Sequence, residues 1–174
     1  MLKANFITAQ EAAEKIQDGS TLCTIGMTLV SASESILKAI EKRFETVGHP
    51  ADITLVHSCG QSDRKDGIQH LAHEGLVKRI VGSHWGLQPR WMEMSANSQV
   101  EAYCLPQGQI AQLYRSMACG LPGKMSKVGL GTFIDPRVEG GKMNDRTKPL
   151  PDLVDILEYG GEEYMFYKEI PLDT

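Results

Sequence analysis

The sequence predicts an α/β fold: an open, mostly parallel sheet flanked by helices, with a C-terminal hairpin. Three observations predict it. Short β-branched runs alternate with segments of helical period. The runs are apolar on consecutive positions, as strands buried on both faces are. Near the end, two strand-like runs are joined by a Gly-Gly pair.

Taken in order, Thr8-Ala-Gln-Glu11 reads as a capping box opening a helix through about Gln17, with Asp18-Gly19 as its stop. Thr21–Ile25 is the first strand. Ser31 or Ser33 caps the next helix, whose stripe Ile36, Leu37, Ile40 and Phe44 has helical spacing, and Gly48-His49-Pro50 ends it. Asp52–His57 is the second strand, completing a strand–helix–strand unit. Lys78–Val81 reads as a strand, Pro89–Ser95 as a helix, Val100–Cys104 as a strand, and Gln107–Cys119 as a helix closed by Gly120-Leu-Pro-Gly123. A long loop holding Gly129, Gly131, Pro136, Gly140 and Gly141 follows. Val154–Tyr159 and Glu162–Ile170 then form a hairpin turning at Gly160-Gly161, and its neighbouring Met165, Phe166 and Tyr167 predict that something packs against it.

With 174 residues, 41% of them hydrophobic, the chain is long enough to fold as one domain without a metal or disulfide. Its 18 basic residues against 22 acidic ones include no basic block, which excludes a dedicated nucleic-acid binder and a polybasic membrane anchor. No apolar run reaches the roughly 18–20 residues of a spanning helix, and Met1–Phe6 lacks the apolar region of a signal peptide. The cytoplasm is the expected location. Cys23, Cys59, Cys104 and Cys119 form no C-x-x-C and are expected to be buried, reduced thiols.

Ligands of such sheets sit at the carboxyl ends of the strands, which selects four loops. Gly26–Ser33 is small-residue-rich and runs into a helix N-terminus, where backbone N–H groups suit an anion or developing oxyanion; a plain strand-to-helix turn is the competing reading. It holds neither G-x-G-x-x-G nor a P-loop. Ser58–Gly67 is longer and more polar than a minimal connection needs, although a solvated surface loop has this composition too. In Gly82-Ser-His-Trp-Gly86, His84 beside Trp85 reads as a ligand-orienting or a satisfied core histidine. In Leu105-Pro-Gln-Gly108, Gln107 offers donors and an acceptor to a carboxylate or thioester carbonyl, or caps the following helix. Two other chemistries are weaker. His70-x-x-His73-Glu74 has spacing for a shared metal but no evident third ligand, and no G-x-S-x-G elbow exposes a serine for a triad.

Asp18-Gly19, Gly75-Leu-Val-Lys78, Gly82-Ser-His-Trp-Gly86, Leu105-Pro-Gln-Gly108, Val128–Arg137 and Glu139–Asn144, in this order, resemble the N-terminal half of the family I coenzyme A transferases, most of all the bacterial acetate or propionate CoA-transferases. The resemblance spans nearly the whole chain, and Gly129–Asn144 is its most specific block. It implies a ping-pong transfer of CoA from a short-chain acyl-CoA to a carboxylic acid through a glutamyl-CoA intermediate, with two similar α/β domains and the site between them. The nucleophilic glutamate would lie in the second half, outside residues 1–174, so that the chain is half an enzyme. Supporting roles carry over to Gly26, Met27 and Thr28 as the oxyanion loop, and to Gln107, Gly60, Gly129, Gly131 and Thr132 near the substrates. The resemblance further implies no metal, no permanently bound cofactor, coenzyme A as substrate, a complementary C-terminal domain or subunit, and a homo-oligomer. One departure stands out: family members carry two or three glycines after the first strand, where this chain reads Gly26-Met-Thr-Leu-Val30. Side chains there reshape the acyl pocket or block the approach that glycine permits. A non-catalytic domain binding an acyl or CoA-like ligand is the alternative, and a sugar-phosphate isomerase relative a third.

Overall fold

A computed structural model describes residues 4–174. Its elements are α1 (Ala9–Glu14), β1 (Thr21–Thr24), α2 (Glu34–Val47), β2 (Ile53–His57), β3 (Val77–Gly82), α3 (Pro89–Ala96), β4 (Glu101–Cys104), α4 (Gln107–Ala118), β5 (Gly123–Ser126), β6 (Val154–Tyr159) and β7 (Glu162–Lys168). Single 3₁₀ segments lie at Gly67–Leu71 and Trp85–Leu87.

β1 to β4 form a parallel sheet in the order β1-β2-β3-β4. Register explains its two faces. Leu22, Leu55, Ile80 and Ala102 lie in one row across the strands, and they join the core built with α1, α2 and α3. The next row, with Val56, Val81 and Tyr103, faces the opposite way and packs with Ile110 of α4 and with Met165 and Tyr167 of β7. Strand order never reverses in this sheet; instead the chain changes face after β4. Consecutive apolar residues in each strand are therefore needed, one for each core.

Caps set the helix ends. Thr8 accepts the Glu11 N–H at 3.2 Å and Glu11 accepts the Thr8 N–H at 2.7 Å, completing the predicted capping box. α1 stops at Glu14, short of the expected Gln17. Arg43 of α2 donates to the carbonyls of Ala13 and Ile16 at 2.7 and 2.8 Å, and Ile16 turns into the core. Ser33 is the N-cap of α2 as read, though its side chain makes no capping bond, and Gly48 ends that helix in the left-handed region at φ +75°.

The C-terminal hairpin turns at Gly160-Gly161, both with positive φ, as a two-residue primed turn requires. What packs against it belongs to this chain. β5, read in the sequence as loop, pairs with β7 in a second, antiparallel sheet ordered β5-β7-β6, and Met165 and Tyr167 are buried in the second core. Gly141–Met143 run along the free edge of β4, and Asp173–Thr174 along that of β1. The thiols differ from expectation: Cys59 is buried, Cys23 and Cys104 are partly buried, and Cys119 is exposed because it follows α4 into the turn before β5. Among the described residues no helix is long and apolar enough to cross a membrane.

Candidate active site

The carboxyl ends of β1, β2 and β3 bring three loops into contact. After β1, Met27 and Val30 exchange both main-chain hydrogen bonds, at 3.1 and 2.9 Å, so the chain doubles back on itself in a tight turn with Thr28 at φ +54°. Gly26 makes this possible: a Cβ there would stand 2.8 Å from the Val30 carbonyl oxygen. The Thr28 N–H donates to the Gly60 carbonyl at 3.2 Å, tying the loop to the one after β2. These bonds consume the amides of Met27 and Thr28, two of the three expected oxyanion donors. The Gly26 N–H has no hydrogen-bond partner among the described residues and is the donor left for a ligand.

The loop after β2 is only in part the solvated segment that its polarity suggests: Asp63, Arg64 and Lys65 are exposed, but the residues before them are not. Cys59, Gly60, Gln61 and Ser62 are buried. His57, fully buried at the end of β2, lies within hydrogen-bond distance of the Cys59 carbonyl through Nδ1, 2.8 Å away. A carbonyl only accepts, so Nδ1 carries the proton and donates it. Burial pushes the imidazole pKa down to about 4. Its ring meets the edge of Trp85 and packs on Gly82, where any Cβ would collide with it. Gln61 donates through Nε2 to the Thr24 carbonyl at 2.6 Å. The core histidine of this end of the sheet is thus His57; His84, a candidate for that role by sequence, is exposed. Thr24 Oγ1, His57 Nε2, Gln61 Oε1, Trp85 Nε1 and Gln88 Oε1 are all buried without a hydrogen-bond partner among the described residues, a concentration of under-satisfied polar atoms around these loops.

Gln107 opens α4, exposed, with no side-chain hydrogen bond among the described residues. It does not cap the helix. Its strand is held to the others where the Leu105 N–H donates to the Gly82 carbonyl at 3.0 Å. Gly129, Gly131 and Thr132 are organised elsewhere. The Gly131 N–H and the Arg137 guanidinium bond to buried Asp135, Thr132 donates to the Gly129 carbonyl, and Gly129 packs on Tyr167 and Met165. Arg137 holds the Asp135 carboxyl well below the usual carboxylate range. This loop reaches the hairpin and, through Ile134, the core beside Leu105 and Ile110, and among the described residues no hydrogen bond joins Gly129, Gly131 or Thr132 to Gly26, Gly60 or Gln107.

His70 and His73 do not share one ligand position. Carboxylates some thirty residues upstream, on α2, reach them: His70 contacts Glu34 at 2.8 Å and Glu41 at 2.5 Å, and His73 contacts Glu41 at 2.9 Å. Glu34, Asp66 and His70 form one group with ligand spacing, and Glu41, Glu45 and His73 another. Local spacing alone hid these third partners. Lys38, 3.1 Å from Glu34, already brings positive charge to the first group, and the network clamps α2 to the 3₁₀ segment.

Comparison with known proteins agrees with this architecture. The family described as Coenzyme A transferase matches residues 6–173. A caffeate CoA-transferase of Acetobacterium woodii is 43% identical over 172 residues, 98% of this chain and 32% of that protein. An acyl-CoA transferase crystal structure from Escherichia coli O157:H7, in a thioester complex with CoA, superposes with a TM-score of 0.90 at 37% identity, covering 96% of this chain and 33% of that one. One subunit of a probable succinyl-CoA:3-ketoacid coenzyme A transferase of Bacillus subtilis is 28% identical over 141 residues, 80% of this chain and 56% of that polypeptide. The chain spans about a third of the length of the first two. Over essentially its whole described length, the chain belongs to the coenzyme A transferase family.

Proposed function

We propose that this chain supplies one half of the active site of an enzyme that moves CoA from a short-chain acyl-CoA to a carboxylic acid. The observation that carries the reading is the free Gly26 amide, held at the carboxyl edge of the sheet by the Thr28–Gly60 bond. A glutamate from a complementary subunit or domain attacks the thioester carbonyl, whose oxygen takes up the negative charge. Collapse breaks the C–S bond, leaving an acyl–glutamyl anhydride and the CoA thiolate. The thiolate then attacks the glutamyl carbonyl, releasing the acid and forming glutamyl-CoA, and the acceptor carboxylate runs the same steps backwards. Gly26 stabilises the oxyanion through its N–H. Gln107, at the start of α4 with no side-chain hydrogen bond among the described residues, orients the reacting carboxylate, and Gly129, Gly131 and Thr132 border the substrate from the hairpin side. In this reading CoA is a substrate, no metal or permanent cofactor takes part, and the assembled enzyme is a cytoplasmic homo-oligomer.

The test is CoA exchange between acetyl-CoA and a panel of short carboxylates, using the full-length polypeptide or this chain with its complementary half. Exchange that depends on a glutamate outside residues 1–174 supports the reading, and its absence with every acceptor overturns it. The apolar turn Met27–Val30 favours a second reading, a domain that binds an acyl-CoA without turning it over. Calorimetric binding without exchange selects that one.

A further inference from the structure

We propose that Gln61 is a positioning residue that sets the Gly26–Thr28 loop for catalysis, with His57 holding the segment from which Gln61 acts. The proposal rests on the transferase reading. Three successive residues after β2 carry the connection. The Cys59 carbonyl takes the His57 Nδ1–H, the Gly60 carbonyl takes the Thr28 N–H, and the Gln61 side chain donates to the Thr24 carbonyl at 2.6 Å. Thr24 is the last residue of β1, two before Gly26, so the loop is gripped on both sides of its free amide. Nothing else described holds it from outside: its remaining bonds are the Met27–Val30 pair, the Ala32 N–H to Leu29, and the Thr28 hydroxyl to the Met27 carbonyl.

The segment itself is closely held. Its Gln61 carbonyl accepts the Ile68 N–H at 2.9 Å, and Gly60 is wedged so closely that a Cβ would stand 2.5 Å from the His84 carbonyl oxygen. Folding stability alone does not explain a glutamine at this place. Gln61 is fully buried, yet its Oε1 finds no partner among the described residues, and an apolar side chain of the same length would fill the volume without that penalty. What an apolar side chain lacks is the donor for Thr24.

The experiment compares wild type with Gln61→Met and Gln61→Glu, in the full-length polypeptide or the reconstituted assembly, by steady-state kinetics and by amide hydrogen exchange. Positioning predicts that both variants lose on the order of 10- to 100-fold in kcat, with KM for the acyl-CoA within about twofold of wild type. It also predicts exchange of the Met27, Thr28 and Val30 amides accelerated by on the order of tenfold, with β3 amides unchanged. A uniform acceleration through β3, or wild-type exchange at Thr28, overturns it, as does an unchanged kcat in an active assembly. If the wild type transfers no CoA, the transferase reading falls while the exchange measurement still decides whether Gln61 holds the loop.

Discussion

The Thr28 N–H donates to the carbonyl of Gly60, 3.2 Å away, across the gap between the first two strand ends. One bond thus joins two residues that the sequence separates by a whole helix and strand. The family resemblance places both near the site without relating one to the other. The geometry makes Gly60 a support for the Gly26–Thr28 loop: its carbonyl accepts the Thr28 N–H, and the space where its side chain would stand is filled by the loop after β3.

Gly60→Ala is therefore expected to push these loops apart. The new Cβ meets the His84 carbonyl oxygen, a backbone atom, at 2.5 Å, and Gln88 Nε2 at 2.8 Å. Overpacking of this kind costs roughly 1–3 kcal/mol. Urea unfolding should show that loss, and kcat should fall with it. An unchanged midpoint and rate would mean that the His84 segment yields freely.

Gln107→Ala separates positioning from packing in the opposite sense. The side chain is exposed and makes no hydrogen bond among the described residues, so thermal stability should stay within about 0.5 kcal/mol of wild type. In an active assembly kcat/KM should drop by on the order of 10- to 1,000-fold, as when one positioned polar group is lost. Wild-type kinetics would assign Gln107 to the solvent-facing surface of α4.

The fold is legible in the sequence because its elements declare themselves locally. The Thr8–Glu11 box, the α2 stripe, the consecutive apolar strands and the Gly160-Gly161 turn each need only near neighbours. β5 is not legible: Gly123–Ser126 shows no period of its own and becomes a strand by pairing with β7, some forty residues on. The candidate site is half legible. Gly26 and Gln107 follow from strand-end loops and glycine chemistry. The burial of His57 and Gln61 follows from three loops stacking, and a run such as Ser58–Gly67 reads the same whether it faces water or a neighbouring loop. The carboxylate partners of His70 and His73 are hidden for the same reason, since they arrive from α2.

His57 makes stability pH-dependent in a stated direction. Its folded pKa is lowered to about 4, from an ordinary 6.5, because burial disfavours the imidazolium. The unfolded chain therefore binds the extra proton first as the pH drops. The stabilisation is complete above about pH 6.5 and is lost progressively down to about pH 4, amounting to about 3 kcal/mol by linkage. Urea unfolding between pH 4 and 7 should show this slope. His57→Phe should flatten it while losing stability at pH 7, because the Cys59 carbonyl then lacks its donor. An equal slope in the variant would place the titration on other groups.

An apolar turn, Met27–Val30, stands where the family resemblance implies glycines, and it should shape the choice of acyl group. Met27 and Val30 are 58% and 68% exposed at the carboxyl edge of the sheet, beside the amide assigned to the oxyanion. Such side chains present a contact surface to whatever the thioester carries, and each methylene that an acyl group buries there contributes about 0.8 kcal/mol. Their main-chain pairing is independent of side-chain identity, so Met27→Ala and Val30→Ala should keep the turn and the Gly26 donor. Each variant should lower kcat/KM for acyl groups long enough to touch the turn by roughly 3- to 30-fold, with little change for acetyl-CoA. The discriminating measurement is the ratio of kcat/KM for a longer acyl-CoA to that for acetyl-CoA. A ratio unmoved by both substitutions would assign the turn to packing against the complementary half, and the same substitutions should then weaken assembly instead.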